Sequence, residues 1–261
     1  WNVAMFLLHA TLATLTLSIG KLELQVTVYK TLLMFNRSQN DEWELRPVYV
    51  SEGKMPLTIL VATLFLLTAS FHLAHATCLR RFYEAELAQC RTPTRWLEYF
   101  VSAPLQIVLI AYSLGVRGRL VLLAVAALVA ATIPHGYLVE RGARPASPDR
   151  WATPLADRLV PWALGFLPLA AAWGLILSTF YDSLFDPTER APAFVHVILW
   201  GELVLFVSFG GAAFYAQYGP PRYFYRGEIV FQVLSLVSKG LLGVLLLINV
   251  LMLSSFDEAY L

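Results

Sequence analysis

Lys239 lies near the middle of an apolar run, Leu234–Asn249 and its flanks, that is long enough to cross a bilayer. A cation at that depth costs about 2.5–3.5 kcal/mol on insertion scales, so the amine is expected to have a partner and a task. At roughly 100° per residue, Glu228, Gln232, Ser235 and Lys239 share one helical face, and the next positions on that face are Leu242 and Leu246. The polar stripe leads from one end of the helix to the amine and stops there. It reads as a half-channel ending at a buried lysine.

Two chemistries suit such a lysine when a carboxylate is near. A desolvated amine condenses with an aldehyde to form a Schiff base. Alternatively, amine and carboxylate form a coupling site in a proton- or ion-driven carrier. Glu98, in the segment Arg95–Ser102, is the candidate partner, and His72, His75 and His9 lie in other apolar segments on the same side of the membrane. Glu202 stands apart, near the middle of the sixth segment with apolar neighbours, and is expected to be protonated or paired. His75, His135 and His196 read as hydrogen-bonded packing residues. Tyr99, Trp173, Trp200 and Phe206, near mid-depth, suit a long conjugated ligand. No internal repeat and no matched pair of broken helices supports the carrier.

Hydrophobic residues make up 58% of the 261 and charged residues 14%, too apolar for a soluble domain of this length. The chain reads as a single all-α integral membrane domain embedded in a lipid bilayer. A net charge of +1 offers no basic face for nucleic acid. The opening residues lack a basic n-region and a cleavage site, so they read as a membrane span and not as a signal peptide. Cys78 and Cys90, without a histidine at ligand spacing, make no case for a metal site. No enzymatic activity is expected.

Seven apolar segments position these residues, at 1–20, 55–79, 94–115, 118–139, 157–180, 193–217 and 227–253. Between the first two, Leu22–Tyr29 and Trp43–Val50 alternate in polarity around the turn Asn36–Asp41, which predicts a β-hairpin outside the membrane over 21–54. Asn36-Arg37-Ser38 is also a glycosylation sequon. Loops two, four and six hold ten basic residues and loops one, three and five hold eight, five of them in the long first loop, where the positive-inside rule is weak. The N-terminus is therefore expected in the cytoplasm, and the C-terminus, with Asp257 and Glu258, outside.

The segments Arg226–Lys239 and Arg95–Tyr99, the pair Phe71-His72 and the strand-rich first loop together resemble the heliorhodopsins, retinal-binding seven-helix proteins with an inverted membrane orientation. The resemblance covers nearly the whole chain. It implies that Lys239 holds all-trans retinal as a protonated Schiff base, with Glu98 as counterion and Ser235 as a hydrogen-bond partner. It places His72, with His9 beside it, in a polar cavity that takes the proton after illumination. It also implies a homodimer contact through the first-loop hairpin. Two departures stand out: Glu202 where an apolar half is usual, and Pro104 with Gln106 in the third segment, placed to kink the helix and tune the colour.

The expected function is thus a light-sensing retinal protein with internal proton transfer and a cytoplasmic signalling partner. The alternative is a light-gated proton conductor using Glu98 and Glu202, with Glu228 on the cytoplasmic route. A third reading is a retinal-free proton-coupled carrier built on Lys239 and Glu98.

Overall fold

The computed structural model describes residues 1–37, 43–183 and 191–252. In hydrocarbon every backbone N–H and C=O must be bonded within its own segment, so the apolar runs become helices. They are α1 (Asn2–Ile19), α2 (Leu57–Ala76), α4 (Pro93–Ser113), α5 (Arg119–Gly142), α6 (Leu155–Ser183), α7 (Ala193–Tyr218) and α8 (Phe224–Leu246). Six regions among the described residues are long and apolar enough to cross a membrane. The seventh helix is α4, whose Arg95, Glu98 and Gln106 dilute its hydropathy.

The second loop departs from expectation. It contains a further helix, α3 (Arg80–Ala88), amphipathic and seated on the bundle by its one buried residue, Tyr83. Two of the ten basic residues assigned to loops are not at the surface either. Arg95 is buried inside α4, and Arg158 donates to Gln217 across the start of α6.

Helix α1 packs on α2, α4 on α5, α5 on α6 and α7 on α8, while α8 also touches α1 and α2, closing the ring. At the α2–α8 crossing a Cβ on Gly243 would fall 2.3 Å from the Phe65 ring, so only glycine admits this approach. Between Lys239 and the far end of the bundle, Leu109, Ile110, Ile198, Leu199, Leu242 and Leu246 are all buried and form an apolar plug. The outer surface is apolar as well: Leu120, Leu123, Val160, Leu167 and Val204 face outward, as lipid-facing positions do.

The first connection is an antiparallel hairpin of β1 (Gln25–Arg37) and β2 (Trp43–Pro56). The register slips between Val28 and Tyr29, leaving Glu52 as the extra residue of a bulge, where its carboxylate meets Arg119 at the start of α5. Tyr29 N–H donates to Arg117 C=O at 3.0 Å, and Leu24 and Val26 enter the core. The base of the hairpin is anchored, whereas Leu33, Phe35 and Tyr49 farther along it are exposed. Most of the turn, including Ser38 of the sequon, lies outside the described residues, as do Asp257 and Glu258. A short strand pair, β3 (Pro145–Ser147) and β4 (Arg150–Trp151), fills the loop before α6.

Candidate functional site

Lys239 is buried, and its three donors are all used. Nζ lies 2.7 Å from Glu98 Oε1, 2.7 Å from Thr68 Oγ1 and 3.0 Å from Ser235 Oγ. Ser235 reaches the amine because it is one helical turn earlier on α8. Thr68, on α2, also hydrogen-bonds Glu98 at 3.0 Å, so the carboxylate is held from two helices. The Tyr99 ring lies 5.4 Å from Nζ, and its hydroxyl donates to Phe231 C=O at 3.1 Å. Lys239, Glu98, Ser235 and Tyr99 are therefore brought together as one site.

The amine opens onto a cavity of about 840 Å³ of empty space, counted out to its mouth, between α4, α5, α6, α7 and α8. Its walls include Trp96, Tyr99, Trp162, Phe166, Phe206 and Phe231. The indole N–H of Trp162 donates to Gly210 C=O at 2.8 Å, which fixes that wall. Ser102 Oγ and Trp96 Nε1 have no hydrogen-bond partner and belong to lining residues. An aromatic-walled space with a lysine in its wall fits a conjugated aldehyde.

Gln106 lines the cavity and is bonded to Glu202 and Ser238 on its other side. Trp173 is buried against Phe206, ring centroids 5.6 Å apart, one layer behind the cavity. Trp200 departs from expectation: it is 47% exposed on the outer face of α7. On a helix it stands roughly 200° from Glu202, so the turn that buries the glutamate turns the tryptophan outward.

On the other side of the amine, His72 lies one turn along α2 from Thr68. Its ring stacks on His9, centroids 5.6 Å apart, and its Nδ1 is 2.9 Å from Asn2 Oδ1. The Nε2 atoms of both histidines are buried without a partner. His75 bonds Thr94 at 2.7 Å and stacks on Tyr83. His135 stands on the cavity wall and His196 packs edge-on to Phe180.

Glu228 ends this polar chain in a cluster that its sequence position did not reveal. Arg95 pairs with both Glu228 and Glu140, all three buried. Tyr83 OH donates to Glu228 at 3.0 Å, and the Thr92 backbone N–H donates to Glu140 at 2.8 Å at the start of α4. Outside the membrane spans, burial raises the pKa of the Tyr83 phenol and pushes the Cys90 thiol up to about 11.

Seven long helices around a lysine on the last one, paired with a carboxylate on the third, define the rhodopsin class of membrane protein. The fold is similar to the crystal structure of thermophilic rhodopsin from Rubrobacter xylanophilus, with a TM-score of 0.58 and 16% identity over 94% of this chain and 91% of that one. At that identity the likeness is one of fold. Residues 1–251 match the family model described as Heliorhodopsin, and the chain belongs to the heliorhodopsin family. Comparison with curated proteins returns no match. Family membership implies a retinal chromophore and a photoreceptor of the general rhodopsin kind.

Proposed function

We propose that this heliorhodopsin is a sensory photoreceptor in which Lys239 Nζ is the attachment point for all-trans retinal, Glu98 is the counterion, and the α3 end of the bundle is the cytoplasmic output face. The observation that carries the proposal is the position of Lys239, in the wall of an aromatic cavity with its Nζ 2.7 Å from a buried carboxylate. Retinal, linked there as an imine, supplies visible absorption and photoisomerisation. The chain's own residues do the rest.

Glu98 compensates the charge at the attached nitrogen, and Thr68 and Ser235 hold the two groups in place. His72 and His9 offer unpartnered ring nitrogens one turn away, on the α3 side, for a displaced proton. From there His75, Tyr83 and Glu228 continue to α3. The apolar plug beyond Lys239 favours proton movement on one side only, hence sensing and not pumping. The exposed arginines at the α3 end, among them Arg80, Arg81, Arg141 and Arg144, support an N-terminus in the cytoplasm. The apolar hairpin residues Leu33, Phe35 and Tyr49 support a homodimer contact.

A second reading, a light-gated proton conductor, is favoured by Glu202, a fully buried carboxyl on the plug side whose Oε1 has no partner. Light-evoked current under a proton gradient that disappears in Glu202→Gln would select it; no current in the intact protein sinks it. The primary test is the absorption spectrum after adding retinal. A visible band in the intact protein that is missing in Lys239→Ala is expected, and no band in either overturns the assignment.

A further inference from the structure

Gln106 forms part of the cavity wall, and both hydrogens of its amide are committed behind that wall. Its Nε2 lies 2.6 Å from Ser238 Oγ and 3.1 Å from Glu202 Oε2, and Ser238 Oγ donates to the same Oε2 at 2.7 Å. The directions fit together. The serine has one hydrogen, which it gives to the glutamate, so it accepts from the amide. With both N–H bonds used, the glutamine has only its carbonyl oxygen left. That oxygen accepts no hydrogen bond among the described residues and is not among the sealed, unpartnered atoms, whereas Glu202 Oε1 is. It therefore keeps accessible surface, and the cavity is the open space that Gln106 lines.

We propose that Glu202 and Ser238 are positioning residues that lock the Gln106 amide with its carbonyl oxygen toward the bound chromophore, and that this fixed dipole sets the absorption maximum. The proposal rests on the retinal reading above. Excitation redistributes charge along a conjugated cation, so a dipole of one fixed orientation acts unequally on the ground and excited states, strongly so in a low-dielectric site. An unlocked amide samples both orientations and its two effects largely cancel. Turning the amide over in the intact site sets its carbonyl oxygen against Ser238 Oγ, whose one hydrogen is already given to Glu202, and a buried network of this kind loses most when a single member is wrong. Glu202 acts here through Gln106, which separates this role from that of a proton carrier.

The experiment compares absorption maxima, after adding retinal, of the intact protein, Gln106→Leu, Ser238→Ala, Glu202→Leu and the two doubles made in the Gln106→Leu background. Each single substitution is expected to shift the maximum, and Ser238→Ala and Glu202→Leu to add little once Gln106 is leucine. Undiminished shifts in the Gln106→Leu background would mean that Glu202 and Ser238 act on the chromophore directly, and the proposal falls. The infrared carboxyl band of Glu202 in retinal-free protein tests the lock separately. It is expected to move in Gln106→Leu and in Ser238→Ala, and an unmoved band overturns the lock. A missing visible band in the intact protein, with the carboxyl band still responsive, defeats the retinal reading and leaves the hydrogen-bonded lock standing.

Discussion

Tyr83 lies flat against His75, ring centroids 4.5 Å apart and planes 18° from parallel, while its hydroxyl donates to Glu228 on α8. One side chain thus ties the surface helix α3 to both the histidine chain of α2 and the helix that bears Lys239. A change in charge at the histidines or in the position of α8 is therefore expected to reach α3 through this residue. A spin label on the exposed Cys78, beside the start of α3, is expected to change mobility on illumination. In Tyr83→Phe, which keeps the ring and loses the bond to Glu228, that change should shrink. An undiminished response in Tyr83→Phe would remove α3 from the output path.

Arg95 holds two buried carboxylates at once. Removing one partner of a buried ion pair typically costs about 3–5 kcal/mol, because the remaining charge stays buried and uncompensated. Arg95→Leu is therefore expected to lower the thermal unfolding midpoint strongly, and adding Glu140→Gln and Glu228→Gln to that variant should recover part of the loss. A midpoint unchanged in Arg95→Leu would mean that the cluster contributes little to stability.

The two cysteines should differ in reactivity. Burial, and after it the neighbouring Glu140 charge, raises Cys90 to about 11, whereas a thiol of the unfolded chain titrates at about 8.5. Below pH 8 both states of the protein hold Cys90 as the thiol, so it has no effect on stability. As pH rises between about 9 and 11 the unfolded thiol ionises and the folded one does not, so stability falls across that window. Alkylation near pH 8 should modify Cys78 alone, with Cys90 reacting only after denaturation, as peptide mass mapping would read.

Gly136 sits where a Cβ would lie 2.2 Å from the Trp96 ring. Gly136→Ala is expected to push Trp96 toward the cavity and to cost about 1–3 kcal/mol, as overpacking does. Retinal uptake, followed by the growth of the visible band, should slow or fail. Gly142→Ala, with nothing within 4 Å of the new methyl, is the control. Equal uptake in both variants would show that Trp96 does not shape the cavity.

Much of the site was legible along single helices and little of it across them. The stripe Glu228, Gln232, Ser235, Lys239 follows from helical spacing alone, and Glu98 stood out as a carboxylate in an apolar run. Thr68, Ser238 and Glu140 carried no such mark, because a threonine, a serine or a glutamate near a helix end is unremarkable until a neighbouring helix supplies its partner. Arg95 was read as a loop cation, since a charge close to a span boundary usually reaches water; its two carboxylates lie 45 and 133 residues away. Trp200 shows the opposite error, in which depth in the membrane was legible and direction around the helix was not used. The hairpin was read from alternation alone, and its bulge, set by one residue of register, was not.

The helix that carries Glu98 is also the one whose composition least suits hydrocarbon. Charged residues disfavour insertion, less near a helix end than at its centre, and α4 brings Arg95 and Glu98 in its first two turns besides Gln106. Only five residues, 114–118, separate it from the strongly apolar α5. A connection that short favours insertion of the two helices as a hairpin, in which the apolar α5 offsets the cost of α4. Glu98 gains its full set of partners, Thr68 on α2 and Lys239 on α8, only once α8, the last of these helices to be made, has packed into the bundle, so completion of the site is expected to be a late step in the biogenesis of the protein.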